Sequence, residues 1–368
     1  MKFLALDSGS RKWGYAVFDG NKVMDKGIIK AEELEKAILS LKLLVKPDFI
    51  VIGSRKGALK SLSFLKDIDI LTVSESETTL KARELYFSES PPKGWMRFLP
   101  RGLRVPERPI DDFAAVIIGR RFLNSMEGVY RILKDEMRRK IKELGLSEKE
   151  ISIEARILSS KEAIGSPERK DFPLVRGKEH LIEANFMGAK GQAFTDEPSN
   201  FRGKIEDIIN LRLGSNRERA LFIASINAFY RHIGEVKNTI HCKNEEPEKC
   251  AEKLVSFIGE RWGNPKVGLV GYQPAFLEAC ARNFRVRVLD LNPELIGRER
   301  YGVKVESGDA LCEEIMEWAD VLLVTGSTIV NGTISKFLDF SKPVLFYGVT
   351  IAAPALTLGL ERFCPLSH

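Results

Sequence analysis

The chain has 368 residues, more than one average domain needs; its 44% hydrophobic and 29% charged content is ordinary for a globular protein, and no apolar run approaches the roughly 20 residues of a membrane helix. Five scattered cysteines argue against a disulfide framework and predict a reducing, cytoplasmic setting without a membrane. The net charge of +6 is unevenly placed: residues 1–125 hold 22 Lys+Arg against 16 Asp+Glu and the remainder holds 35 of each, so the whole excess lies where it would attract a polyanion.

The opening MKFLALDSGS lacks the basic region, apolar stretch and cleavage site of a signal peptide and predicts a first strand, Lys2–Leu6. Tyr15–Phe18 and Lys22–Ile29 follow, joined at Asp19-Gly20-Asn21, a strong hairpin signal. Ala31–Val45 has helical spacing through Leu34, Ile38, Leu41 and Val45. Asp48–Gly53 reads as a strand, Leu59–Lys66 as a short helix, Ile68–Val73 as a strand, and Thr78–Phe87 and Asp111–Leu123 as helices. The order βββαβαβα predicts a mixed sheet with helices packed on it.

Three acids fall at meaningful places in this order. Asp7 ends the first strand ahead of Ser8-Gly9-Ser10 and Gly14, Glu75 lies just past another strand, and Asp111 opens the last helix, where the dipole suits a carboxylate. Carboxylates at adjacent strand ends and a helix start can converge, and such oxygens suit Mg or Mn. Caps and solvated turns are the alternative, and the better reading for Asp111 taken alone but not for the three acids together; Asp112 is a candidate extra ligand that reads rather as a helix-start charge. Between the second and third acids runs PPKGWMRFLPRGLRVPERPIDD, with Lys93, Arg97, Arg101, Arg104 and Arg108 among Trp95 and Phe98. Pro100 and Pro106 forbid a regular helix. A stiff basic loop could grip phosphates while Trp95 stacks on a base; otherwise it is a solvated loop packed by its aromatics.

The segments LALDSGSRKWGYAVFD, ILTVSESETTLKAREL and IDDFAAVIIGRRFL resemble the three motifs of the RuvC and YqgF branch of the ribonuclease H-like superfamily. The resemblance covers about 120 residues and implies a ribonuclease H-like fold. It also implies a metal-dependent nuclease acting on structured DNA or RNA, with Asp7, Glu75 and Asp111 as catalytic metal ligands. One departure is that the family's second motif has Asp-Glu-Arg where this chain has Ser74-Glu75-Ser76. The DxGxxxxG opening also occurs in actin-like and sugar-kinase ATPases, which need a second copy of the fold and a second phosphate loop.

Residues 126–263 read as α+β: a charged amphipathic helix Met126–Gly145, strands Ile151–Leu158 and Leu181–Phe186, a polar turn-rich stretch Ser159–Lys178, and helices Glu206–Leu213, Arg217–Tyr230 and Pro247–Trp262. From Lys266 the apolar runs KVGLVG, RVRVLDL, DVLLVTG and PVLFYG alternate with helical stretches near Pro274–Asn283, Ala310–Trp318 and Val330–Phe337. That alternation predicts a parallel, Rossmann-like sheet with ligands at its strand carboxyl ends. Gly271, Asp290, Gly326, Ser327, Thr328 and Thr350 would share that rim, with Asn331 and Thr333 opening the next helix. The first turn, Gly271-Tyr272-Gln273-Pro274, is not GxGxxG, which leaves Asp290 a weak ribose-binding signal. His241, Cys242 and Cys250 offer imidazole and thiols for a transition metal, although their spacing is not that of a standard finger. Asn227 and His232 are further candidates for the same cleft; their plainer roles are helix packing and an ordinary surface or core histidine.

The segments GQAFTD, ASINAFYRH, HCKNEEPEKCAE, GLVGYQPAFLEA, VLDLNP, ADVLLVTGSTIVNGTI and VLFYGVTIAAPA resemble the heavy-metal chelation family. The resemblance spans most of 126–368 and implies an enolase N-terminal-like domain paired with a Rossmann-like one, with a ligand or metal site in the cleft between them. The expected whole is an α/β and α+β multidomain chain: a ribonuclease H-like domain at 1–125, an enolase N-terminal-like domain at 126–263 and a Rossmann-like domain at 264–368. The expected function joins a nuclease-like module to a unit binding a metal, a metal complex or a small anionic molecule. The alternative is a binding protein whose first module is inactive.

Overall fold

A computed structural model describes residues 1–55, 57–92, 94–100, 103–146, 152–177 and 179–368. They carry twelve α-helices and three sheets, divided between two compact units, Met1–Ile132 and Leu133–His368. No helix among the described residues is long and apolar enough to cross a membrane.

The first unit runs β1 (Lys2–Asp7), β2 (Lys12–Asp19), β3 (Lys22–Lys30), α1 (Leu34–Val45), β4 (Phe49–Gly53), α2 (Ala58–Ser61), β5 (Ile70–Val73), α3 (Thr78–Glu89) and α4 (Asp111–Leu123). Its sheet has the order β3-β2-β1-β4-β5; β1, β4 and β5 are parallel and the first three strands form an antiparallel meander. The period-2 alternation of β1 sends Leu4 and Leu6 to a core with Ile38 of α1, and Phe3 and Ala5 to a core with Ala115, Val116 and Phe122 of α4. Both faces are therefore covered, which is why β4, FIVIG, is buried throughout.

Helix α4 lies unusually close to the sheet. A Cβ on Gly14 would stand 1.8 Å from the Asp111 carbonyl oxygen, and one on Gly119 would stand 2.2 Å from the Phe18 ring. Glycine at both positions lets the helix sink until Phe113–Gly119 is buried.

Helix α5 (Met126–Glu143) contains the boundary. The second unit continues with β6 (Ser152–Ile157), α6 (Ser160–Ile164), β7 (His180–Phe186), β8 (Ala189–Thr195), β9 (Phe201–Lys204), α7 (Ile205–Ile209), α8 (Asn216–His232) and α9 (Glu246–Trp262). The antiparallel sheet β8-β7-β6-β9 is covered by α8, which approaches so closely that a Cβ on Gly191 would meet the Ala228 nitrogen at 2.1 Å. Then follow β10 (Lys266–Val270), α10 (Pro274–Asn283), β11 (Arg285–Asp290), β12 (Glu299–Arg300), β13 (Val303–Ser307), α11 (Cys312–Trp318), β14 (Val321–Thr325), β15 (Val344–Tyr347), α12 (Ala352–Leu358) and β16 (Arg362–Phe363). They build a seven-stranded sheet, β12-β13-β11-β10-β14-β15-β16, parallel except for β12.

The structure departs from the sequence expectations in a few elements. Strand β8 (AKGQAFT) has glycine at position 191, where α8 presses on it, and a single β-branched residue, Thr195, and so lacks the signature of a strand. Strands β9, β12, β13 and β16 are too short to show a period. The helix expected at Val330–Phe337 is replaced by 3₁₀ turns, Gly326–Ile329 and Ile334–Phe337, separated by Gly332 at φ +81°. The helix expected at Leu59–Lys66 shrinks to α2.

Substituting Gly14 by alanine should destabilise the first unit by about 1–3 kcal/mol, because backbone and not a flexible side chain occupies the Cβ position. Urea unfolding checks this, and an unchanged midpoint would contradict the close approach of α4.

Candidate functional site

In the first unit the parallel strands bring their carboxyl ends to one edge. Asp7 closes β1, opposite Gly14 in register; Gly53 closes β4 beside Val73 of β5, and Glu75 stands two residues beyond. The α4 backbone that rests on Gly14 is that of Asp111, so the third acid is delivered to the residue paired with the first. Glu75 folds back over Gly53, where a Cβ would lie 1.9 Å from its Oε1, and Oε1 accepts the Arg55 backbone N–H at 3.3 Å. The Arg55 guanidinium donates to the Ser8 carbonyl at 3.1 Å. Burial first, and then the negative charges of Asp111 and Glu75, raise the Asp7 carboxyl from 3.8 to about 6, with Arg55 opposing.

The turn carrying Glu75 is held from α4: Arg121 donates to the carbonyl of Ser74 at 2.7 Å and to that of Ser76. Asp112 is buried and takes both arms of Arg108, at 3.0 and 2.8 Å. Arg108 is accordingly committed within the protein, as is Arg104, which donates to the carbonyls of Leu99 and Arg97. The basic loop keeps Trp95 and Phe98 outward, 72% and 78% exposed, with Arg97 over the Phe98 ring. Lys93 and Arg101 lie outside the described residues.

The second unit holds a cavity of about 200 Å³ at the carboxyl ends of β10, β11, β14 and β15. Among the residues expected there, Gly271, Asp290, Gly326, Ser327, Thr328, Asn331, Thr333 and Thr350 line it together with His241, Cys242 and Cys250. Gly271, at φ +90°, leaves room for Thr325 and the Tyr347 hydroxyl. Asp290 spends one carboxylate oxygen on the Tyr272 N–H and the other on the Asn292 N–H, each at 2.7 Å. It organises the rim, and its carboxyl is raised by burial against the pull of those amides. Thr350 accepts the Phe194 N–H at 3.0 Å.

Two expected residues stand elsewhere. Asn227 is fully buried; its amide donates to the carbonyls of Gln192, Val349 and Thr350 and its oxygen accepts the Ala353 N–H at 2.8 Å. It fastens β8 to the segment after β15 and does not line the cavity. His232 is exposed at the end of α8, edge-on to Phe186.

Among the lining residues that sequence reasoning did not place here are Glu179, Lys336 and Tyr347, and Cys364, which by sequence reads as incidental, lines the cavity too. Glu179 is accessible, but the space it opens onto is the cavity; burial, then Asp290 and Asp196, raise its carboxyl to about 7. No local pattern marks it, since it sits between the turn-rich stretch and β7. The Tyr347 hydroxyl donates to the Gly271 carbonyl at 2.9 Å. At the other wall, burial lowers the His241 imidazole to about 4, leaving it neutral, and its buried Nδ1 has no hydrogen-bond partner. Burial raises the Cys242 thiol strongly, with Cys364 and Cys250 adding to it, and pushes Cys250 up to about 12, with Cys364 again contributing. All five cysteines are free. No group of three or more His, Cys, Asp or Glu among the described residues stands ready to hold a metal ion.

With this geometry in place, residues 259–355 match a family (DUF364) described as "Putative heavy-metal chelation". Among solved structures the chain is similar to a protein of unknown function from that family in Pyrococcus horikoshii: 19% identity, 60% of this chain and 79% of that one, TM-score 0.36. A second, from Desulfitobacterium hafniense, is 14% identical over 49% of this chain and 72% of that one, also at 0.36. RuvC of Thermus thermophilus aligns with 32% of this chain and 90% of its own length at 13% identity, TM-score 0.20. A search of curated proteins returned no match.

A carboxyl raised from 3.8 to about 6 in the folded state contributes stability that is present below about 3.8 and lost as pH rises through about 6. Asp7→Asn should therefore raise the melting temperature of the first unit at pH 7, with the gain shrinking toward pH 4. A gain independent of pH, or a loss at pH 7, would mean that burial and the neighbouring acids do not disfavour the ionised Asp7 as described.

Proposed function

We propose that the second unit is a binding module for a small anionic molecule or metal complex, seated at the rim of its parallel sheet. One observation carries this: a cavity of about 200 Å³ whose wall combines Ser327, Thr328, Asn331, Thr333 and Lys336 with the neutral imidazole of His241 and the thiols of Cys242 and Cys250. Hydroxyls, amides and a lysine suit an anionic group, and imidazole and thiols suit a soft metal. The family description of residues 259–355 points the same way. Since no three donors are preassembled, a bound metal would bring part of its own ligand shell, which favours a complex over a bare ion. Native mass spectrometry and elemental analysis of the purified chain should find a retained ligand or metal. Ser327→Trp, which fills the cavity, should release it without lowering the melting temperature; retention by that variant would place the ligand elsewhere.

The first unit we read as a divalent-cation-dependent nuclease module acting on structured DNA or RNA. The meeting of Asp7, Glu75 and Asp111 at one sheet edge supports it, as does the resemblance of those three segments to RuvC and YqgF motifs. The donors are hard oxygens that suit Mg or Mn, and such an ion commonly uses one or two carboxylates and completes its shell with water and phosphate. When bound, it would polarise a phosphoryl oxygen and ease deprotonation of the attacking water. Of the basic loop, Trp95 offers a stacking face and Arg97 a cation to the backbone of the nucleic acid. Branched DNA, RNA and DNA–RNA hybrids incubated with Mn²⁺ should be cut, and Asp7→Asn should slow cutting about a hundredfold or more. Cutting that survives Asp7→Asn would remove this reading and leave the first unit a non-catalytic partner of the binding module.

A further inference from the structure

Two opposite charges, Glu179 and Lys336, face the cavity of the second unit, and no ion pair joins them. Glu179 stands immediately before β7, and the pairing of His180 with Thr195 sets it at the same sheet end as Asp196. Asp196 accepts the Asn216 side-chain amide at 2.8 Å, and both carboxylate oxygens of Asp290 are taken by backbone amides. The Glu179 carboxylate, by contrast, has neither a hydrogen bond nor an ion pair among the described residues. Lys336 enters from the 3₁₀ turn Ile334–Phe337, its backbone N–H held on the Thr333 carbonyl at 3.1 Å. Lys342, further along, spends its ammonium on the carbonyls of Glu317 and Ala319, at 2.6 Å each, whereas that of Lys336 is engaged by no described residue. Phe172, Phe194 and Phe276 add apolar wall to the same space.

We infer that the ligand of this cavity is a zwitterion, a small molecule whose ammonium group faces Glu179 and whose carboxylate or phosphate faces Lys336. The inference rests on the binding reading of the second unit and adds a cationic group to the ligand which that reading describes. A ligand with one charge would leave the opposite side chain of the pair unmatched once water is displaced, and an unmatched charge costs more in a cavity than in bulk water. A simple anion would also meet the acids gathered at the Glu179 end. Burial, and then the charges of Asp290 and Asp196, hold the Glu179 carboxyl up to about 7, and an ammonium placed there opposes all of these effects. The two charges of a zwitterion match Glu179 and Lys336 one for one, while the three phenylalanines cover the apolar part of the molecule.

The test titrates the full chain with γ-aminobutyrate, phenylalanine and phosphoethanolamine, each beside the matched anion that lacks the amine and the matched amine that lacks the acid, with binding read by calorimetry. At least one zwitterion should bind at least about tenfold more tightly than both of its matched partners, the lower end of what a hydrogen bond to a charged group contributes. Glu179→Gln should erase the advantage over the matched anion and keep that over the matched amine, and Lys336→Gln should do the reverse. A fold merely damaged by substitution would lose both advantages together, and melting temperatures check each variant. A matched anion that binds as tightly as its zwitterion, with Glu179→Gln indifferent to both, overturns the inference and leaves the binding reading in place. Failure of every zwitterion to bind also overturns it. In that case a ligand or metal retained by the purified chain and released by Ser327→Trp keeps the binding reading, and the lack of any such ligand removes both.

Discussion

The first unit depends on a contact between two stretches of backbone. With the Asp111 carbonyl where a Cβ of residue 14 would be, helix α4 reaches the sheet edge at the residue paired with Asp7. Any side chain at that point would hold the helix off and carry Asp111 away from the strand ends. The same closeness explains why α4 is apolar from Phe113 to Gly119, and why its buried charge, Asp112, carries its own counter-ion in Arg108. Burying Asp7, and then placing it near Asp111 and Glu75, disfavours its charged form; the raised Asp7 carboxyl reflects both, and Arg55 offsets part of it.

A comparable role in the second unit falls to Asn227. Its side chain satisfies four backbone groups from β8 and from the segment that follows β15, in a place where none of them can reach water. Those bonds, together with Thr350 accepting from Phe194, fix the antiparallel sheet against the strand that forms one side of the cavity. Asp290 does the same for the rim turns, so the residue that resembles a ribose-binding acid by position is occupied with the protein's own amides. Polar groups that looked like ligand contacts thus divide into those that build the cavity and those left facing it.

How much of this was legible follows from what each signal depends on. The three acids were legible because each sits at an element boundary, marked by an apolar run on one side and small residues on the other. The parallel alternation after Lys266 was legible because buried parallel strands are written as uninterrupted β-branched runs. Strand β8 was hidden because Gly191 answers to α8 and not to β-propensity. Asn227 and Arg108 were misjudged because exposure and partner cannot be read from residue type: the same amide or guanidinium serves a ligand or the fold.

By itself, then, the sequence determined the order of elements, the strand ends at which Asp7, Glu75 and Asp290 stand, and the neighbourhood of His241 and Cys242, all of which are local properties of spacing and composition. Only the tertiary structure decided that Arg55, Glu179 and Cys364 belong to those sites, since they arrive from segments 48, 111 and 122 residues from Asp7, Asp290 and Cys242 respectively, by the difference of their positions. It also decided which polar groups are already spent. Long-range pairing and desolvation are collective effects of the packed chain, and no short stretch of residues encodes them.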